Sequence, residues 1–212
     1  MPRRALLNDI NPHVINFYQW LKRGLVMRGA MSNSKRRYYE CRERFNRLLA
    51  SQHGDTAEAA ELFYYLNRTA YNGLCRFNRS GEFNVPFGRY DTIRYRRDFS
   101  DCAVAFADWE FASTTFDEIA LASDDFVYAD PPYDVEFTHY SKGGFTWEQQ
   151  VRTAEWLAQH TGPVVLSNQA TARITSLYTS LGYSLRLLDG PRRISCTGDR
   201  TPAAEVLALR NL

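Results

Sequence analysis

Asp130-Pro131-Pro132-Tyr133 is the stretch whose residue types and spacing could do chemistry. It places a carboxylate, a stiff pair of prolines and an aromatic ring within one turn of chain. The exocyclic amino group of a nucleobase is a poor nucleophile, because its lone pair is delocalised into the ring. The Asp130 carboxylate and the Pro131 carbonyl can accept its two N–H bonds. That draws the nitrogen towards tetrahedral geometry and aims the lone pair at an electrophile. Tyr133 can stack on the face of a base taken out of its helix. A strand-ending turn with a buried tyrosine is the alternative reading of the same four residues.

The elements that must position this tetrapeptide follow from its flanks. Phe126 to Ala129 is an apolar run that reads as a short buried strand. Proline lacks a backbone donor and restricts the residue before it, so the strand stops at Asp130. In an open α/β sheet the crevice beyond the carboxyl ends of the strands is where ligands sit. Asp9 stands at a similar place, after the apolar run Ala5-Leu6-Leu7. An acid there can hold a ribose diol, and an Asx turn is the equal alternative.

Asn11 and Pro12 read as the cap and first position of a helix carrying Val14, Ile15, Tyr18, Leu21 and Leu25. Further helices are expected over 33–51, 56–70, within 91–107, and over 146–160 and 170–180. Strands are expected at 109–113, 163–166, 183–188 and 203–209. The alternation predicts a mainly parallel α/β sheet with a helical and hairpin insertion between about residues 33 and 97.

That insertion holds the second chemical feature. Cys75–Asn78 and Glu82–Val85, around Arg79-Ser80-Gly81, read as a β-hairpin rich in arginine, asparagine and aromatics. A two-stranded ribbon fits a DNA major groove, and those residue types suit base-edge contact and stacking. A surface hairpin with a tight turn is the plainer alternative. From Leu21 to Arg97 there are 16 Lys/Arg against 7 Asp/Glu, whereas Asp98 to Glu136 has 11 acids and no Lys or Arg. A polyanion on the basic part and a cationic cofactor or substrate by the acidic part would account for this asymmetry, as would a solvated helix face.

With 212 residues, 44% of them apolar, the chain can bury one full core and a small subdomain. It has no apolar run of membrane-spanning length and opens on no apolar signal segment. Cys41, Cys75, Cys102 and Cys196 are dispersed, as are the four histidines. The expectation is a cytoplasmic protein with reduced thiols and no metal site.

Taken together, these segments closely resemble the Dam-type (D12 class) DNA adenine-N6 methyltransferases. Asp9-Ile10-Asn11, Tyr65-Leu66-Asn67-Arg68, Tyr71-Asn72-Gly73-Leu74-Cys75-Arg76 and Gly81-Glu82-Phe83-Asn84-Val85-Pro86-Phe87-Gly88-Arg89-Tyr90 carry the resemblance. So do Asp130-Pro131-Pro132-Tyr133, Phe137-Thr138-His139-Tyr140, Leu166-Ser167-Asn168 and Arg192-Arg193-Ile194-Ser195. The resemblance implies a Rossmann-like S-adenosylmethionine methyltransferase sheet, formed by 1–32 and 98–212, with a DNA-recognition subdomain at 33–97. It implies S-adenosyl-L-methionine as donor and double-stranded DNA as substrate, with the adenine of a GATC-like site flipped out. Asp130, Pro131, Pro132 and Tyr133 would form the catalytic motif. Asp9, Ile10 and Asp130 would line the cofactor. Tyr71, Asn72, Leu74, Arg76, Asn78, Pro86, Arg89 and Tyr90 would meet DNA, with Arg76 reading a guanine and Arg89 meeting phosphate.

The sequence departs from the family in one major respect, besides carrying Asp91 where a basic residue often continues the recognition segment and a short loop after Tyr133. The glycine-rich F-x-G-x-G loop, on the family's first and central strand, has no counterpart: no G-x-G occurs anywhere. Without that strand its neighbours lack hydrogen-bond partners. Three readings follow: an N-terminally truncated product, which is preferred; a protein completed by another chain; or a DNA-binding relative that has lost methyl transfer. An RNA or protein-glutamine methyltransferase shares the D-P-P-Y logic but has no need of the hairpin.

Overall fold

A computed structural model describes residues 2–134, 145–190 and 203–212. These form two compact units, one ending at Thr115 and the other beginning at Phe116. Phe137-Thr138-His139-Tyr140 and Arg192-Arg193-Ile194-Ser195 lie outside the described residues. Among those described, no helix is long and apolar enough to cross a membrane.

In the first unit, strand β1 (Ala5–Asn8) pairs in parallel with β2 (Trp109–Ala112), in register Leu7 to Phe111. Helices and hairpin occupy the long crossover between them. Helix α1 (Pro12–Lys22) starts where expected: the Asn11 side chain accepts from His13 N at 2.9 Å, and Pro12 fills the first turn, where no N–H is needed. Ser34 caps α2 (Lys35–Ala50) and Thr56 caps α3 (Ala57–Thr69), each through its side-chain oxygen. A short α4 (Ser100–Ala105) precedes β2.

Apolar side chains at helical spacing build the core of this unit. Tyr38, Cys41, Phe45 and Leu48 of α2 face Ala59, Ala60, Phe63 and Leu66 of α3, and Phe83 and Val85 of the hairpin join them. Phe45 is fully buried, with its ring centroid 6.1 Å from Phe63, 6.3 Å from Phe83 and 5.6 Å from His13. Burial pushes the His13 imidazole below its usual value, which favours the neutral ring.

The second unit holds a four-stranded sheet in the order β3 (Val127–Ala129), β4 (Val164–Gln169), β6 (Ala203–Arg210), β5 (Ser184–Gly190). Helices α5 (Trp147–Ala158) and α6 (Ala172–Ser180) lie between its first three strands in sequence. Their Ala154, Leu157, Ile174 and Tyr178 pack with Val164, Leu166, Val206 and Ala208 of the sheet. Thr146 caps α5 in a reciprocal box with Gln149.

In this sheet β3, β4 and β5 run in one direction and β6 runs against them. An apolar strand buried at alternate positions reads the same in either direction, so periodicity could not fix this. β1 and β3 also lie in different sheets, and among the described residues each has one hydrogen-bonded neighbour. Parallel strands are stable chiefly inside larger sheets, and here Leu6 of β1 is 47% exposed and Tyr128 of β3 59% exposed.

Phe45→Ala should cost the first unit about 3–5 kcal/mol, the usual loss for a fully buried phenylalanine. Urea unfolding followed by tryptophan fluorescence measures it; a loss below about 1 kcal/mol would mean the aromatic cluster does not hold helix and hairpin together.

Candidate active site

Asp130 follows directly on β3, where the proline pair ends the strand. Its carboxylate is exposed, but one oxygen is held: Ser167 Oγ, at the end of β4, donates to Asp130 Oδ1 at 2.6 Å and lies 3.2 Å from the Ala129 carbonyl. Parallel pairing of Ala129 with Leu166 brings the two strand ends side by side. Tyr133 is half-buried, and burial, followed by the charge of Asp130, pushes its hydroxyl up. The phenol therefore stays neutral beside the carboxylate.

The loop after Asp130 is fastened from beneath by a fully buried amide. Asn168 Oδ1 accepts from Asp134 N at 2.8 Å and from Gln169 N at 2.8 Å. Its Nδ2 donates to Gln150 Oε1 at 3.0 Å and to the Tyr178 hydroxyl at 3.1 Å. Gln150 in turn donates through Nε2 to the Pro132 carbonyl at 2.7 Å. Proline offers no N–H, and the backbone groups fastened here are the Pro132 carbonyl and the Asp134 amide. Burial pushes Tyr178 up to about 12, so it remains a neutral partner in this network.

Asp134 closes the loop. It is buried and accepts from Thr171 Oγ1 at 2.8 Å and from Arg173 Nε at 2.6 Å, with a second bond from Arg173 Nη2. The Arg173 guanidinium also lies over the Trp147 ring, 4.7 Å from its centroid. Burial alone would raise the Asp134 carboxyl; the hydrogen bonds from Arg173 and Thr171 and the guanidinium charge outweigh it and hold it below its usual value.

Sequence reasoning missed Gln150, Asp134, Thr171 and Arg173. Asp134 follows directly on the tetrapeptide and was the one legible hint. The others come from α5, from α6 and from the residue that caps α6, with nothing in their spacing to mark them.

In the first unit, Asp9 is exposed at the end of β1, and its Oδ1 accepts from Asn11 N at 2.8 Å. That is the Asx turn, which leaves the second carboxylate oxygen outward. Ile10 beside it is 68% exposed.

The expected hairpin exists as an irregular ribbon. Phe77 bridges Phe83, and Asn78 N donates to the Glu82 carbonyl at 2.9 Å. Asn78 Oδ1 accepts from Ser80 N and Glu82 N at 3.0 and 2.9 Å, so that side chain builds the turn. Helix α2 anchors the second arm: Asn46 exchanges two bonds with the Phe83 backbone, and the Tyr38 hydroxyl donates to the Val85 carbonyl at 2.8 Å.

Tyr71, Pro86, Arg89 and Tyr90 are exposed around this ribbon, and Asn72 and Leu74 are half-buried. Tyr71 N donates to the Pro86 carbonyl at 2.8 Å and the Tyr90 hydroxyl to the Ala70 carbonyl at 3.0 Å, drawing these residues together. Gly88 is required at that approach, because a Cβ there would stand 2.7 Å from the Ala70 carbonyl oxygen. Asn72 and Arg89 both take left-handed backbone, at φ 52° and 49°.

A cavity of about 640 Å³ opens between α1, the end of α2 and the hairpin turn, lined in part by His13, Asn16, Gln19, Asp55 and Glu82. Neither Asp9 nor the 130–133 motif borders it.

A strand-end carboxylate held in place and followed by an aromatic ring can engage the amino group of a base. The model of the D12 class N6 adenine-specific DNA methyltransferases matches residues 1–190, and the chain belongs to that family. It is 36% identical to the DNA adenine methylase of Escherichia coli strain K12, over 97% of this chain and 79% of that protein. It is 33% identical to the retron Ec67 DNA adenine methylase of Escherichia coli, over 96% of this chain and 75% of that one. Against the DNA N-6-adenine-methyltransferase of Escherichia phage P1 the identity is 32%, over 96% of this chain but 29% of the phage protein.

Because the folded value of Asp134 is depressed, its contribution to stability is complete above its unfolded value, near 3.8. That contribution is lost as pH falls through the lower folded value. Arg173→Ala should cost about 1.5–3 kcal/mol at pH 7 and flatten the acid limb of stability below about pH 4. Urea midpoints measured across that range test it; an acid limb as steep as that of the unaltered protein would mean the pair does not set it.

Proposed function

We propose that this protein transfers a methyl group from S-adenosylmethionine to N6 of an adenine flipped out of duplex DNA at a GATC-like site. The observation that carries the reading is the Ser167–Asp130 hydrogen bond of 2.6 Å at the end of β3. With Oδ1 held by Ser167, Oδ2 is the oxygen that accepts one N6–H, and the Pro131 carbonyl accepts the other. Tyr133 stacks on the base. After transfer N6 must lose a proton, and Asp130 Oδ2 is the acceptor at hand. Rigidity matters, because a carboxylate free to swing would not define the direction of the lone pair.

S-adenosylmethionine supplies an electrophilic methyl group. The residues present fit part of it: the outward oxygen of Asp9 suits the ribose hydroxyls, and the exposed Ile10 side chain suits the adenine face. Residues 33–97 act as the DNA-recognition subdomain and 1–32 with 98–212 as the catalytic part. The concentration of exposed arginines and aromatics around the hairpin supports that division.

A second reading is a DNA-binding relative without methyl transfer. Calorimetry separates the two. The first reading expects donor binding in the micromolar range, about −8 kcal/mol; no heat with the donor, while duplex binding persists, establishes the second.

Tritiated methyl transfer tests the reaction itself. Label should enter a GATC duplex and not structured RNA, and Asp130→Ala should lower kcat by about 10²–10⁴-fold. An Asp130→Ala protein with unchanged kcat would sink the assignment of the acid.

A further inference from the structure

Arg76 and Asn84 face each other across the hairpin. Asn84 N donates to the Arg76 carbonyl at 3.2 Å. In return Arg76 Nε donates to Asn84 Oδ1 at 2.8 Å, and Arg76 Nη2 donates to the Asn84 carbonyl at 3.3 Å. A guanidinium is a planar fork of five N–H donors with two usable edges. Both contacts fall on the Nε/Nη2 edge. The other edge, formed by Nη1 and the second hydrogen of Nη2, is a two-donor fork of the kind that matches the O6 and N7 acceptors of guanine.

Asn84 is a fixed post for this purpose. The residue before it, Phe83, is buried and has its backbone N–H and carbonyl both bonded to the Asn46 side chain. The residue after it, Val85, is fully buried, and its carbonyl accepts from the Tyr38 hydroxyl and Arg42. The Asn84 backbone is thus clamped on both sides to helix α2, while its half-exposed side chain points its oxygen at Arg76.

We propose that Asn84 is a specificity-determining positioning residue: it holds the inner edge of the Arg76 guanidinium so that the outer edge is presented to a guanine before DNA arrives. This rests on the reading of Arg76 as the guanine contact. A long arginine side chain without such a post would sample many rotamers and meet phosphates as readily as bases.

The test needs DNA binding and no methyl transfer. Dissociation constants of the full chain are measured for a fluorescent GATC duplex and for duplexes changed one base pair at a time, at several salt concentrations. The unaltered protein should discriminate at one guanine by about 5–150-fold, the fold-change equivalent of one good bidentate contact. Arg76→Ala should abolish discrimination at that base. Asn84→Ala should reduce it there by about tenfold or to nothing, leaving the ratios at other positions and the salt slope unchanged. Asn84→Asp, which keeps an acceptor for Nε, should restore it despite a lower overall affinity.

Uniform weakening of every duplex by Asn84→Ala, or a shallower salt slope, would overturn the proposal and make Asn84 a scaffold or phosphate contact. If Arg76→Ala left every ratio as in the unaltered protein, or that protein showed no discrimination, the reading of Arg76 would fall instead.

Discussion

One buried amide governs the geometry of the tetrapeptide. Asn168 satisfies four hydrogen bonds in a site closed to solvent, and through them it fixes the backbone of Asp134 directly and that of Pro132 by way of Gln150. A two-proline loop has few donors of its own, so it cannot be tied down by an ordinary backbone ladder. Side chains from β4 and α5 supply the missing bonds. Ser167, one residue earlier on the same strand, then settles which oxygen of Asp130 is left outward. Loss of any partner would leave buried polar groups unpaired, which makes the network costly to disturb and correspondingly rigid.

The hairpin of the first unit is built on the same plan by different residues. Its backbone makes few cross-strand bonds, and a two-stranded ribbon alone is marginal in water. Helix α2 compensates: Asn46 and Tyr38 bond the second arm, and Phe45 packs under Phe83. In both places an irregular segment is clamped by buried or half-buried polar side chains from a regular element.

The legible part of this structure was what local chemistry dictates. Asn11-Pro12, Thr56 and Thr146 announce helix starts, and Asp130-Pro131-Pro132 announces a strand end, because caps and prolines act within a few residues. The direction of β6 was illegible, since its apolar spacing is indifferent to strand polarity. The partners of Asp134 were illegible for another reason: Thr171 and Arg173 are 37 and 39 residues away in sequence and meet it only once α6 is docked. Asn78 could be flagged as a polar hairpin residue, but not that its amide would be occupied in building the turn. The family resemblance supplied the reaction and the recognition segment, which composition alone left open.

Arg89 carries a cost that its neighbours do not. Left-handed backbone disfavours a side chain with a Cβ by about 1–2 kcal/mol, and asparagine at position 72 tolerates it far better than arginine does. A glycine at 89 would relax the main chain while deleting a cation from the rim of the ribbon. On the proposed reading of Arg89 as a phosphate contact, thermal robustness and polyanion affinity are opposed at this one turn, and selection for heat tolerance alone would erode the grip on nucleic acid.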